Sequence, residues 1–126
     1  MSEFPEWYTE ENAKGSDKEI LARILDLGLN DYISKGAASN LNAPSKSLAR
    51  VLDSGRRDLV AQRAAYNPNT PPEALARLLD RGRNESIDHL AAENPSTPPE
   101  ALGRVLDSGR DDDIAEYAAQ NPNTNP

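Results

Sequence analysis

An all-α solenoid of four tandem units is the fold that this sequence predicts, on three observations. The chain carries an internal period of 27 residues, and self-similarity at such a period marks stacked helical or similar repeats. Helix start and stop signals recur in phase with that period. Aromatic residues make up only 5% of the chain, so its core must be built largely from alanine and leucine, which suits close helix packing better than a sheet sandwich.

The period is read directly. Asn67-Pro68-Asn69-Thr70-Pro71-Pro72-Glu73-Ala74-Leu75 returns as Asn94-Pro95-Ser96-Thr97-Pro98-Pro99-Glu100-Ala101-Leu102, and once more, cut short, as Asn121-Pro122-Asn123-Thr124. Stepping back, Leu21, Leu48, Leu75 and Leu102 align, as do Leu25, Leu52, Leu79 and Leu106. Ile33, Val60, Ile87 and Ile114 form a further column, and the pairs Ala37-Ala38, Ala64-Ala65, Ala91-Ala92 and Ala118-Ala119 another. The units are residues 13–39, 40–66, 67–93 and 94–120, with a truncated fifth turn at 121–126. Phe4, Trp7 and Tyr8 concentrate aromatics in residues 1–12, which are expected to form a cap on the first unit.

Each unit parses into two short helices. Thr70 and Thr97 precede glutamate by three residues, the pattern of a capping box, and Ser16 with Glu19 repeats it. Pro71 and Pro98 fall at the expected first helical position, where a missing N–H costs nothing. Leu75, Leu78 and Leu79 follow at helical spacing. Gly82, in column with Gly28, Gly55 and Gly109, is the expected left-handed stop. The second helix is expected over residues 85–92, burying Ile87, Leu90 and Ala91. Pro95 ends it, because the residue before a proline is pushed out of the helical region. Asn94 fills that slot and is expected to bond turn backbone. The second unit reads as the weakest, with Ala43 for the threonine and Lys46 for the glutamate. One such unit cannot bury its own apolar face, so neighbours and caps are required.

Val60-Ala61-Gln62-Arg63-Ala64-Ala65-Tyr66-Asn67-Pro68-Asn69-Thr70-Pro71, followed by Glu73 and Leu75, resembles the leucine-rich repeat variant family of bacterial helical repeats. The resemblance covers about residues 13–124. It implies a right-handed superhelix in which an α-helix alternates with a second short helix, often 3-10. The unit here is a few residues longer around positions 80–86, which favours α for the second helix. It also implies a scaffold, not a reaction. The iron–sulfur cluster of the founding member sits on a cysteine-rich segment, and this chain has no cysteine, so no cofactor carries over.

Composition narrows the function classes. Without cysteine there is no disulfide, thiolate metal site or cysteine nucleophile. No apolar run approaches the ~20 residues of a membrane span. The first residues lack the basic and apolar regions of a secretory signal, so the expected compartment is cytoplasmic. The net charge of −7 opposes nucleic-acid binding, which depends on neutralising phosphates. Charge is nonetheless uneven. Residues 40–66 hold Lys46, Arg50, Arg56, Arg57 and Arg63 against Asp53 and Asp58, a net of +3, whereas residues 94–120 carry a net of −4.

Two arginine columns stand out. Arg23, Arg50, Arg77 and Arg104 each have an aspartate three residues on (Asp26, Asp53, Asp80, Asp107). They read either as a groove for an acidic partner or as a self-satisfied ladder, and the built-in carboxylates favour the ladder. Arg56, Arg83 and Arg110 follow the stop glycine, at the negative end of the helix dipole. They are expected to be exposed and unpaired and so, with Arg57, to bind a partner. Asp111-Asp112-Asp113 lacks the spacing and central glycine of a calcium loop and reads as the acidic start of a helix. His89, the one histidine, has no second imidazole for a metal pair and is expected to be an exposed helix residue that contributes to partner binding. Tyr66 is expected as an exposed interface anchor, Tyr117 as apolar packing. In the last unit Leu102, Leu106, Ile114 and Tyr117 are expected to leave an open apolar end that binds a partner or a downstream segment, on a largely monomeric chain.

No phosphate loop, zinc motif or nucleophile elbow appears. The expected function is therefore a non-catalytic protein–protein interaction module, as the N-terminal domain of a larger bacterial protein. The alternatives are a nucleic-acid-binding helical array and the regulatory domain of an enzyme.

Overall fold

The computed structural model describes residues 5–81, 86–108 and 113–124, and among them all regular structure is α-helical. A short α1 (Glu10–Ala13) is followed by α2 (Lys18–Asp26), α3 (Tyr32–Ser39), α4 (Ser45–Asp53) and α5 (Leu59–Tyr66). Then come α6 (Pro72–Asp80), α7 (Ser86–Glu93), α8 (Pro99–Asp107) and α9 (Asp113–Gln120). The second helix of each 27-residue segment is α, not 3-10.

Helices of eight or nine residues do not persist alone in water, so packing holds them. The even-numbered helices α2, α4, α6 and α8 each pack on the next, and so do α1, α3, α5, α7 and α9. The two rows lie against each other through α2–α3, α4–α5, α6–α7 and α8–α9. Leu21, Leu48, Leu75 and Leu102 are fully buried, as are the alanines at 37, 38, 64, 65, 91 and 92. Alanine in the second row lets successive helices approach closely.

The helix starts differ from expectation. Residues 17, 44, 71 and 98 are the N-caps of the first row. Asp17, not Ser16, caps α2 by accepting from the N–H groups of Glu19 (3.1 Å) and Ile20 (3.2 Å). Pro71 and Pro98 are themselves the N-caps, with no side-chain cap bond, and Pro72 and Pro99 begin the helices. The second proline removes a donor that would otherwise need satisfying, so no threonine cap is needed. The Thr70 and Thr97 hydroxyls instead donate backwards to the carbonyls of Ala64 and Ala91, closing the ends of α5 and α7. Ala43, itself buried, has no hydroxyl to close α3, so its substitution for threonine removes a closing bond from the end of the first unit's second helix rather than an N-cap from the second unit. Gly28 (φ 72°) and Gly55 (φ 80°) adopt the left-handed stop; Gly82 and Gly109 lie outside the described residues.

Polar side chains join successive segments. Asn94 Nδ2 donates to the carbonyls of Ala65 (2.7 Å) and Asn67 (3.1 Å), while its Oδ1 accepts from the N–H of Ser96 (2.8 Å). Asn67 does the same to Ala38 and Asn40, and Asn121 to Ala92 and Asn94. Asn40 reaches Ala13 and Gly15. The turn bonding expected of Asn94 is thus present, with a bridge to the preceding segment added. A second ladder runs along the first row: Arg50 to Asp26, Arg77 to Asp53 and Arg104 to Asp80. Each arginine pairs with the aspartate 24 residues earlier, not with the one three residues later in its own helix.

At the N-terminal end Tyr8 is buried, and its hydroxyl meets Asp31 (2.7 Å) and Ser34 (2.8 Å). Phe4 lies outside the described residues. At the other end the expected open face is largely closed. Leu102 and Ile114 are fully buried and only Leu106 and Tyr117 are half-buried, because α8 and α9 pack on each other and on α6 and α7. The turn after α9 also folds back, Thr124 donating to Ala118 and Asn123 to Thr97 (3.1 Å).

Candidate interaction surface

Of the arginine column expected to bind a partner, Arg56 is engaged inside the fold, and Arg83 and Arg110 lie outside the described residues. Arg56 is half-buried, its side chain 17% exposed. Its Nη2 donates to Asp58 Oδ2 (2.7 Å) and to the carbonyl of Leu29 (2.9 Å), and its Nε donates to the same carboxylate. Leu29 stands one period before Arg56, so the guanidinium bridges two successive loops. Asp58 also caps α5 by accepting from the Ala61 N–H (3.0 Å). Burial alone would raise the Asp58 carboxyl, but the Arg56 guanidinium and the Ala61 N–H hold it below the usual carboxylate range. The sequence signal was a carboxylate two residues after the arginine, which recurs as Arg83/Glu85 and Arg110/Asp112. Those residues lie outside the described ones. Arg57 is exposed and has an interaction of its own, so it is not a free cation.

The second row brings the remaining candidates together. Arg63, Leu90 and Tyr117 occupy one position of α5, α7 and α9; Gln62, His89 and Glu116 occupy the position before it; Tyr66, Glu93 and Gln120 a third. These positions change residue type from helix to helix, unlike the constant Leu, Ala and Asn columns that face inward. Tyr66 is 57% exposed, as expected. His89 is half-buried rather than exposed, because its ring lies 5.4 Å from that of Tyr117. Tyr117 packs against the core edge, and Leu106, on α8, lies apart from these side chains in the first row.

Between α5 and α7 a groove of about 230 Å³ is lined by Gln62, Arg63, Tyr66 and Leu90. Between α7 and α9 a second of about 170 Å³ is lined by Glu93, Tyr117, Gln120, Asn121 and Pro122. The sequence pointed to Tyr66 but not to Arg63 or Leu90 as its neighbours. Among the described residues no group of three His, Cys, Asp or Glu is placed to hold a metal ion, and no helix is long and apolar enough to cross a membrane. No family model matches the chain, and comparison with curated proteins and with solved structures finds no match.

Proposed function

We propose that this chain is a non-catalytic protein-interaction module, a right-handed helical solenoid whose α3–α5–α7–α9 row presents the binding face. One observation carries the reading. The asparagine and threonine side chains of the inward columns are spent on bonds between successive segments, whereas the outer positions of the second row vary from helix to helix and expose Tyr66 beside a groove. Exposed tyrosine with an arginine and a half-buried aliphatic neighbour is the composition of an interface anchor. The bacterial repeats that the sequence resembles give the same kind of role. A nucleic-acid reading loses its main support, because Arg56 is tied to Asp58 and Leu29.

The test is selection of a random-peptide display library on the immobilised chain. Recovered binders are expected to lose at least about tenfold in affinity, roughly 1.4 kcal/mol, with Tyr66→Ala and to be unaffected by Ser45→Ala on the opposite row. Binders indifferent to Tyr66→Ala contradict the proposed face.

A further inference from the structure

The guanidinium of Arg63 is unspent. Among the described residues the other arginines meet a carboxylate or have a contact of their own. Arg23 pairs with Glu19, Arg50 with Asp26, Arg56 with Asp58, Arg77 and Arg81 with Asp53, and Arg104 with Asp80, while Arg57 is engaged elsewhere. Arg63 is exposed on α5 with no such partner, in a chain with 21 acidic residues against 14 basic ones. It lines the α5–α7 groove together with Tyr66 and Leu90. An arginine left unpaired where carboxylates are in excess keeps its five donors in a planar fork that fits a carboxylate bidentately.

Resting on the interaction reading above, we infer that the α5–α7 groove takes an acidic peptide segment of a partner protein. A carboxylate of the segment pairs with Arg63, and an adjacent apolar side chain lies between Tyr66 and Leu90. The neighbouring groove supplies the contrast. Among the described residues its charged lining is Glu93, in the column of Tyr66, while Leu90 stands where Arg63 does, so the next groove offers the same carboxylate no cation and a like charge nearby. The acidic segment therefore selects one step of the row and has a fixed direction across it. The net of +3 over residues 40–66 and of −4 over residues 94–120 favours the same placement. A nucleic acid fits less well: one isolated guanidinium beside an aromatic–aliphatic groove offers a phosphate chain a single ionic contact, in a molecule of net charge −7.

The experiment uses two synthetic pools of short peptides. Both carry two adjacent positions randomised over Leu, Ile, Phe and Tyr, flanked by Glu in one pool and by Gln in the other. Each is titrated into the isotopically labelled chain and followed by amide chemical shifts. The Glu pool is expected to move the signals of residues 62–66 and 90 and to bind at least about tenfold more tightly than the Gln pool, with the gap narrowing as salt is added. Arg63→Gln, a change at an exposed residue, should abolish that gap; Glu93→Gln should leave it intact. Equal binding of the two pools at the groove overturns the acidic specificity while leaving the interaction face standing. Absence of shifts in the groove with either pool overturns both. A single-stranded oligonucleotide that moves the same signals at lower concentration than the Glu pool overturns the choice of a peptide.

Discussion

Asn94 spends its whole side chain on one corner, donating twice to the preceding segment and accepting once from its own turn. Alanine there strips the carbonyls of Ala65 and Asn67 of a donor each, and only Asn67 keeps another, the N–H of Thr70 (3.1 Å). With the site fully buried, Asn94→Ala is expected to cost about 2–3 kcal/mol in urea unfolding. Asn40→Ala, at the half-buried first rung, is expected to cost less. Equal losses contradict the assignment. The sequence placed Asn94 in its turn because the pre-proline slot is a local matter. Its bridging role depends on which carbonyls the stacking brings near, and only the recurrence of asparagine at 40, 67, 94 and 121 hinted at it. Arg56 is the opposite case. Its partner, Asp58, lies two residues away in the sequence, although its place after a stop glycine, at the negative end of a helix, is by itself a sufficient reason for a cation.

Helix ends are set by local chemistry that the sequence shows only in part. The number, spacing and inward faces of α2 to α9 follow from the Leu and Ala columns, and the glycine stops hold at Gly28 and Gly55. The capping boxes did not survive: the residue after each expected cap takes its place, Asp17 with a side-chain cap at α2 and Pro71 and Pro98 without one at α6 and α8. The second-row helices use aspartate caps, Asp31 and Asp58, and these give α3 and α5 a pH dependence. Both carboxyls lie lowered in the fold, burial being outweighed by hydrogen bonds, from Ser34 and Tyr8 to Asp31 and from Arg56 and Ala61 to Asp58. A carboxyl held below its unfolded value stabilises the fold above that value, near 3.8, and loses the contribution as pH falls through the folded value. Tyr8 runs the other way: burial pushes it up to about 12 from 10.0, so its contribution is complete below 10 and fades between 10 and 12. Melting temperature recorded across this range is expected to fall below about pH 4, with a shallower acid limb for Asp58→Asn. An unchanged acid limb in Asp58→Asn contradicts the cap.

For the whole molecule, the same few bonds recur between neighbours: asparagine to two carbonyls, arginine to the aspartate 24 residues back, threonine to the end of the helix before it. The arginine pairs are exposed and contribute little each. The buried asparagines and the alanine contacts carry the coupling, and in a stacked array stability is a sum over such interfaces. The rows of helices were legible because their apolar columns share one period. The groove was not, because Arg63 and Leu90 lie on different helices, and their joint placement comes only from packing α5 against α7. That the segments are coupled through these bonds is tested most directly by native-state hydrogen exchange on the chain and on Asn94→Ala. The account predicts that amides of α5, α7, α8 and α9 lose protection together in the variant. Faster exchange confined to the turn at residues 94–97, with the helices on either side protected as before, would contradict it.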